Sequence, residues 1–226
     1  MGVANDHSIA WGIAQTLAGH GAELAFTYQD ENFEKRLRPL MEGIGSTIAV
    51  QCDVADEATV DKAFDTVGEA WGDLDFVVHA IAFSDKAELK GRYLDTTREN
   101  FTRSLEISCY SFTAVAKRAA ALMDNGGSIL TLTYAGSRRV MPNYNVMGVA
   151  KAALEASTRY LAADLGPDEI RVNAISAGPM RTLAGAAIGG ARFVMKWQVD
   201  NAPLRRSVSL DEVGGAALFL LSDLGK

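Results

Sequence analysis

Tyr144 and Lys151 stand seven residues apart, two turns of helix, so a helix carrying both would present them on one face. A phenol near its ordinary pKa of about 10 is a poor acid, and a neighbouring ammonium is expected to lower that value and make it a usable proton donor. The spacing alone is unspecific, because Tyr110 and Lys117 repeat it. Placement separates the two pairs. Tyr144 opens its helical segment shortly after the apolar run Ser128–Thr133, and open α/β sheets bind ligands outside the carboxyl ends of their strands. Tyr110 lies in the middle of a helical segment, where packing or an interface is the simpler role. Tyr134 follows the same apolar run directly, ten residues before Tyr144.

Other positions at run ends suit a nucleotide. The segment Gly2–Gly12 puts a glycine turn, with Ser8 and Ile9, in front of a helix reaching Gly19. Glycine permits the tight turn, and free amides at the helix start attract a pyrophosphate. The segment is not the usual G-x-G-x-x-G, and a plain turn with a close helix contact explains it equally well. After the run Ala22–Tyr28 come Gln29, Asp30 and Glu31, where nucleotide folds read the adenosine ribose. An acidic site with a neutral amide favours NAD over NADP, while Asp30 is also placed to cap the next helix. Asp53 and Val54 end another run, where a carboxylate and an amide can meet an adenine edge; capping is again the competing role. His79-Ala80-Ile81-Ala82 ends a further run with small residues that let a flat group approach, or that simply pack tightly. A lysine at position 151 would then be placed to hold the hydroxyls of the second ribose.

The elements that must position these residues follow from hydrophobic periodicity. Ala22–Tyr28, Thr47–Val50, Leu74–Ile81, Ser128–Thr133 and Ile170–Ile175 are short and apolar without alternation, as expected for strands buried on both faces. Between and after them lie helical segments near 8–19, 31–43, 57–70, 97–123, 144–165 and 209–222. Thr96…Glu99 and Ser209…Glu212 carry capping-box signatures. The alternation predicts an α/β fold, a doubly wound parallel sheet of Rossmann type, in a single domain spanning 1–226. Such a fold begins with a strand leading into the glycine turn, but here the turn starts at Gly2 and the last helix runs straight to Lys226. The expected sheet therefore lacks its first and last strands and leaves a gap at its centre.

Composition narrows the class. With 226 residues and a net charge of −6, the chain can bury a core without staples and shows no basic footprint for nucleic acid or anionic membrane. Arg138-Arg139 and Arg205-Arg206 read as solvated or structural pairs. Cys52 and Cys109 have no metal or redox spacing, and His7, His20 and His79 stand alone, so no metal site is expected. Both cysteines read as buried thiols of a reducing compartment. With no apolar stretch of membrane-spanning length and no signal-peptide pattern, a cytoplasmic protein is expected.

The chain closely resembles the bacterial NADH-dependent enoyl-[acyl-carrier-protein] reductases, a branch of the short-chain dehydrogenase/reductase superfamily. The resemblance runs through Ser8–Ala14, Ala22–Gln29, Cys52–Val54, Pro142–Gly148, Arg171–Pro179 and Arg181–Ala184. Most of the superfamily spaces its Tyr and Lys four apart and places a serine upstream, whereas this branch uses seven and a tyrosine, here Tyr134. The resemblance implies reduction of the trans-2 double bond of an enoyl thioester on acyl carrier protein, in type II fatty-acid elongation, with hydride from NADH. It implies catalytic roles for Tyr144, Lys151 and Tyr134. It implies cofactor contacts from Gly2, Ser8, Ile9, Gln29, Asp53, Val54, Ile81, Lys151, Met180, Arg181, Thr182, Leu183 and Ala184. Ser84, Tyr134, Tyr144, Phe193 and Met195 would meet the substrate, the last two from a mobile substrate-binding loop over 180–197. Phe193 and Met195 have ordinary core contacts as their competing role. The family's homotetrameric assembly is implied as well. A carbonyl reductase of the same superfamily is the alternative enzyme, disfavoured by the spacing and by Tyr134; an inactive nucleotide- or partner-binding remnant is the non-enzymatic one.

Overall fold

The computed structural model describes residues 1–183, 185 and 190–226. Among the described residues five strands form where the apolar runs predict them: β1 (Ala25–Tyr28), β2 (Ile48–Gln51), β3 (Phe76–His79), β4 (Gly127–Thr133) and β5 (Ile170–Ser176). All pairings are parallel, in two groups, β1-β2 and β3-β4-β5. Successive residues Ile129 and Leu130 of β4 are both fully buried, one in each of two separate clusters on opposite faces. Strands buried on both faces have no reason to alternate in sequence.

Helices cover both faces. α1 (Ile9–Gly19) precedes β1, and α2 (Glu31–Gly43) and α3 (Glu57–Trp71) connect the first three strands. Asp30 caps α2 by accepting from the Asn32 and Phe33 amides, and Asp56, not Asp53, caps α3 through the Ala58 amide. α6 (Asn145–Leu165) joins β4 to β5; α7 (Ala191–Asn201) and α8 (Leu210–Leu221) follow β5. The Ser209–Glu212 capping box forms with both of its bonds.

The long helical segment expected over 97–123 departs from prediction. It forms α4 (Arg98–Leu105) and α5 (Ser111–Ala120), joined by one wider π turn at Glu106–Tyr110. The turn lets two serines face inward: Ser108 donates to the Phe83 carbonyl, and Ser111 lies 2.8 Å from His79 Nε2. The expected Thr96…Glu99 capping box does not form. Thr97 caps α4 instead, accepting from the Asn100 amide, because Glu88 from the preceding loop takes both the amide and the hydroxyl of Thr97.

Between β1 and β3 runs a slot, the position the first strand of a doubly wound fold would take. Met1 lies along the end of β3, its amine donating to the Val78 carbonyl at 2.8 Å and its carbonyl accepting from the Ala80 amide. A cavity of about 680 Å³, lined by Ile13, Leu24, Phe26, Val50 and Val77 among others, occupies the slot. Among the described residues no helix is long and apolar enough to cross a membrane.

Candidate active site

The parallel register brings the candidate residues to one edge. Tyr28 pairs with Gln51 and Thr133 with Ser176, so the carboxyl ends of neighbouring strands are level. At the β1–β2 end, Gln29 Nε2 donates to Asp53 Oδ2 at 3.2 Å, joining two residues 24 positions apart. Asp53 accepts from the Ala55 amide and does not cap α3; Val54 beside it is buried. Gly2 adopts φ +95, and a Cβ there would stand 2.2 Å from the Ala80 carbonyl oxygen, so the turn packs directly on the end of β3. Only glycine combines that dihedral with that approach. Ser8 is buried, its hydroxyl accepting from the Ala4 and Asn5 amides and holding the turn in shape. Ile9 opens α1 and packs in the same cluster as Met180; the half-buried Ile81 follows β3. Amides at a helix start, an acceptor and an amide pair at Gln29–Asp53, and Val54 form a set that fits a dinucleotide along the sheet edge.

Tyr144 stands at the start of α6 and is 6% exposed. Tyr134 packs against it edge to face, ring centroids 5.1 Å apart at 65°. Lys151 lies two turns along α6 and is equally buried. The lowering of the Tyr144 pKa expected from Lys151 is not found. Burial pushes the phenol well above the ordinary tyrosine range, with Tyr134 adding to the effect. The lysine Nζ turns instead to the Leu132 carbonyl at 2.7 Å, and burial draws its own pKa down to about 8. Burial shifts each group toward its neutral form, which locks the proton on Tyr144 while Lys151 still carries its charge at neutral pH. Tyr144 is therefore a neutral O–H donor and not an acidified one. The second pair with the same spacing is dispersed: Tyr110 is 53% exposed and its hydroxyl donates to Glu57.

Several other expectations are placed differently. Ser84 is half-buried and its hydroxyl donates to Asn100 Oδ1 at 3.3 Å. Phe193 is 71% exposed on α7, and Met195 is half-buried on the same helix. The second half of the expected 180–197 loop is thus helical, with Gly190 at φ +82 as its N-cap. Arg181 and Leu183 are exposed; Thr182 accepts from the Gly185 amide; Ala184 lies outside the described residues. Cys52 is buried, but Cys109 is only partly so, its sulfur 3.4 Å from the Ser157 hydroxyl. Arg138 and Arg206 are ion-paired, to Glu155 and Glu212.

The structure adds residues that the sequence reading passed over. Leu89 packs on Tyr144 and Met147. Asn145, held at φ +32, donates to the Glu88 carbonyl, and Asn100 bonds Asp85, Ser84 and Glu88, so the segment before α4 is laced to the start of α6. Gly136 lies under the Tyr144 ring, where a Cβ would meet Cδ1 at 2.4 Å. The signals available were two asparagines flanking Tyr144, of the type that tolerates positive φ, and a glycine two residues after Tyr134.

A family profile described as Enoyl-(Acyl carrier protein) reductase matches residues 2–226. The chain belongs to this enoyl-(acyl carrier protein) reductase family. Among curated relatives of this reductase, enoyl-[acyl-carrier-protein] reductase [NADH] 2 of Rhizobium meliloti is 66% identical over 226 residues, covering 100% of the chain and 84% of the relative. The FabI reductase of Rickettsia felis is 55% identical over 225 residues, covering 100% and 86%. The reductase from Anaplasma phagocytophilum, solved in complex with NAD, superposes with a TM-score of 0.95 at 61% identity, covering 99% of this chain and 86% of that one. FabI from Candidatus Liberibacter asiaticus gives 0.97 at 56% identity, covering 99% and 87%.

Proposed function

We propose that this chain reduces the trans-2 double bond of an enoyl thioester, with Tyr144 stabilising charge on the thioester oxygen, Lys151 holding the nicotinamide ribose, and Tyr134 ordering the substrate. The observation that carries the reading is the contact of the half-buried Tyr134 with the buried Tyr144 at the carboxyl end of β4, with Lys151 two turns along the same helix. NADH, when bound, supplies the hydride that adds to Cβ. As that bond forms, negative charge develops on the thioester oxygen, and a donor already aimed there stabilises the transition state without reorganising. Tyr144 suits this role because burial keeps its proton in place. A phenol so reluctant to ionise donates a hydrogen bond to the enolate, and the proton completing the saturated chain at Cα is drawn from solvent. Lys151, already a donor to the Leu132 carbonyl, presents its remaining N–H bonds to sugar hydroxyls.

Following the family's pattern, the substrate is carried by acyl carrier protein, residues 180–197 form the segment over it, and the enzyme works in the cytoplasm as a homotetramer. Gln29 and Asp53, an amide bonded to a carboxylate where a 2′-phosphate would call for an arginine, support NADH. The test is NADH oxidation with crotonyl thioester against acetoacetyl thioester. Turnover of the crotonyl compound is expected; turnover of the acetoacetyl compound alone would make the chain a carbonyl reductase and overturn the reading.

A further inference from the structure

We propose that Glu155 is a positioning residue for this reductase: its carboxylate clamps the turn that carries Tyr134 and backs Tyr144, and so fixes the direction of the Tyr144 hydroxyl. The inference rests on Tyr144 acting as just described.

Tyr144, Gly148, Lys151 and Glu155 follow one another at intervals of four, three and four, a single stripe of α6. That stripe faces the end of β4 and the turn after it. Thr133 is the last residue of β4, Tyr134 is extended, and Ala135–Ser137 form one tight helical turn. Glu155 collects the donors on both sides of Tyr134. Its Oε1 accepts from the Thr133 hydroxyl at 2.8 Å and from the Ser137 hydroxyl at 2.5 Å, and its Oε2 accepts from Arg138 Nε at 3.2 Å. The carboxylate side chain is only 13% exposed. Burial opposes its charge, but the bonds from Ser137, Thr133 and Arg138 together outweigh that and hold its pKa below the usual range.

The clamped turn is the surface on which Tyr144 rests. The Tyr144 ring lies against Gly136, and a Cβ at Gly148 would stand 2.8 Å from the Gly136 carbonyl oxygen. The turn thus packs closely on both the ring and the helix, with room for no side chain at either glycine. Tyr134, one residue from the strand end, meets the Tyr144 ring from another side. Glu155 has no described contact with either tyrosine ring. Whatever it does for the reaction it does by holding residues 133–138 in place. An unclamped turn allows the Tyr144 ring to tilt, and a shift on the order of 1 Å at a catalytic group is enough to lower the rate severely.

The experiment is a double-mutant cycle of Glu155→Ala with Tyr144→Phe, reading kcat with crotonyl thioester and the dissociation constant for NADH. Glu155→Ala should lower kcat by about tenfold or more while NADH affinity stays within about twofold. Glu155→Gln should recover part of the loss, because its amide oxygen still accepts from Thr133 and Ser137. In the Tyr144→Phe background, where no hydroxyl is left to aim, Glu155→Ala should cost less than about twofold. An equal fractional loss in both backgrounds, or an undiminished kcat in Glu155→Ala, overturns the proposal. Should Glu155→Ala fail to fold, Ser137→Ala removes one donor and passes through the same cycle with the same two outcomes. Wild-type kcat in Tyr144→Phe alone would instead sink the reading of the site, and this proposal with it.

Discussion

Replacing Tyr144 by Phe removes one oxygen atom and leaves the ring that packs against Tyr134, Leu89 and Met147 in place. None of the described residues accepts from or donates to that hydroxyl, so the folded state loses no partner. Stability should change by less than about 0.5 kcal/mol, because no buried group is left unsatisfied. The transition state is a different matter. Tyr144 is 6% exposed and its pKa is raised by burial and by Tyr134, so in the proposed mechanism its hydroxyl is a neutral donor to a developing negative charge. One such preorganised donor is worth about 2–4 kcal/mol, roughly 30- to 1000-fold in kcat. The assay is the fall of NADH absorbance with a saturating crotonyl thioester, alongside NADH affinity measured by fluorescence and a thermal melt. The expected pattern is a large loss in kcat with unchanged NADH affinity and unchanged melting temperature. A kcat within about threefold of the wild type would refute the reasoning. An equal loss in NADH affinity would move the residue into cofactor binding.

Lys151→Met should weaken NADH by about tenfold or more, since a charged donor in a buried site is lost. In the unsubstituted enzyme the affinity should fall as pH rises through about 8, because burial makes Lys151 release its proton there; a pH-independent affinity counts against the ribose role. His79 is wholly buried between Ser111 and Thr131, and burial lowers its pKa to about 3, so the fold holds it neutral. Its folded pKa lies below the unfolded value near 6.5, and the unfolded chain takes up the proton first. The contribution is complete above pH 6.5 and is lost as pH falls, by about 2 kcal/mol between pH 7 and pH 5. Urea melts at those two pH values should show that loss in the wild type and a smaller one in His79→Asn; equal losses would place the acid sensitivity elsewhere.

Much of the fold was legible in the chain because buried parallel strands announce themselves. The runs before Tyr28, around Val50 and before Thr133 are apolar on both faces, and Asp30, Ser209 and Glu212 mark helix starts by local chemistry alone. Where prediction slipped, a distant residue had intervened. The cap of α4 moved from Thr96 to Thr97 because Glu88 claims the Thr97 amide and hydroxyl. The long helix after it widened into a π turn that sets Ser108 and Ser111 against Phe83 and His79.

The site divides along the same line. Residue types, a spacing of seven and position after a strand singled out Tyr144, Lys151 and Tyr134, since each depends only on helix period and chain order. Spacing could not say that Tyr110 would face solvent and bond Glu57, nor that Lys151 would turn to the Leu132 carbonyl. It could not give the sign of the Tyr144 shift either, because that sign is set by burial against neighbouring charge, and burial exists only once β4, α6 and the Leu89 segment close around the ring. Gln29 and Asp53 are 24 residues apart and meet only through the register of β1 on β2. Gly136 and Glu155 gained their meaning the same way. The sequence by itself determined which groups line the edge of this sheet, because periodicity and strand order are local properties. Tertiary structure alone decided their charge states and aim, because both depend on contacts between segments far apart in the chain.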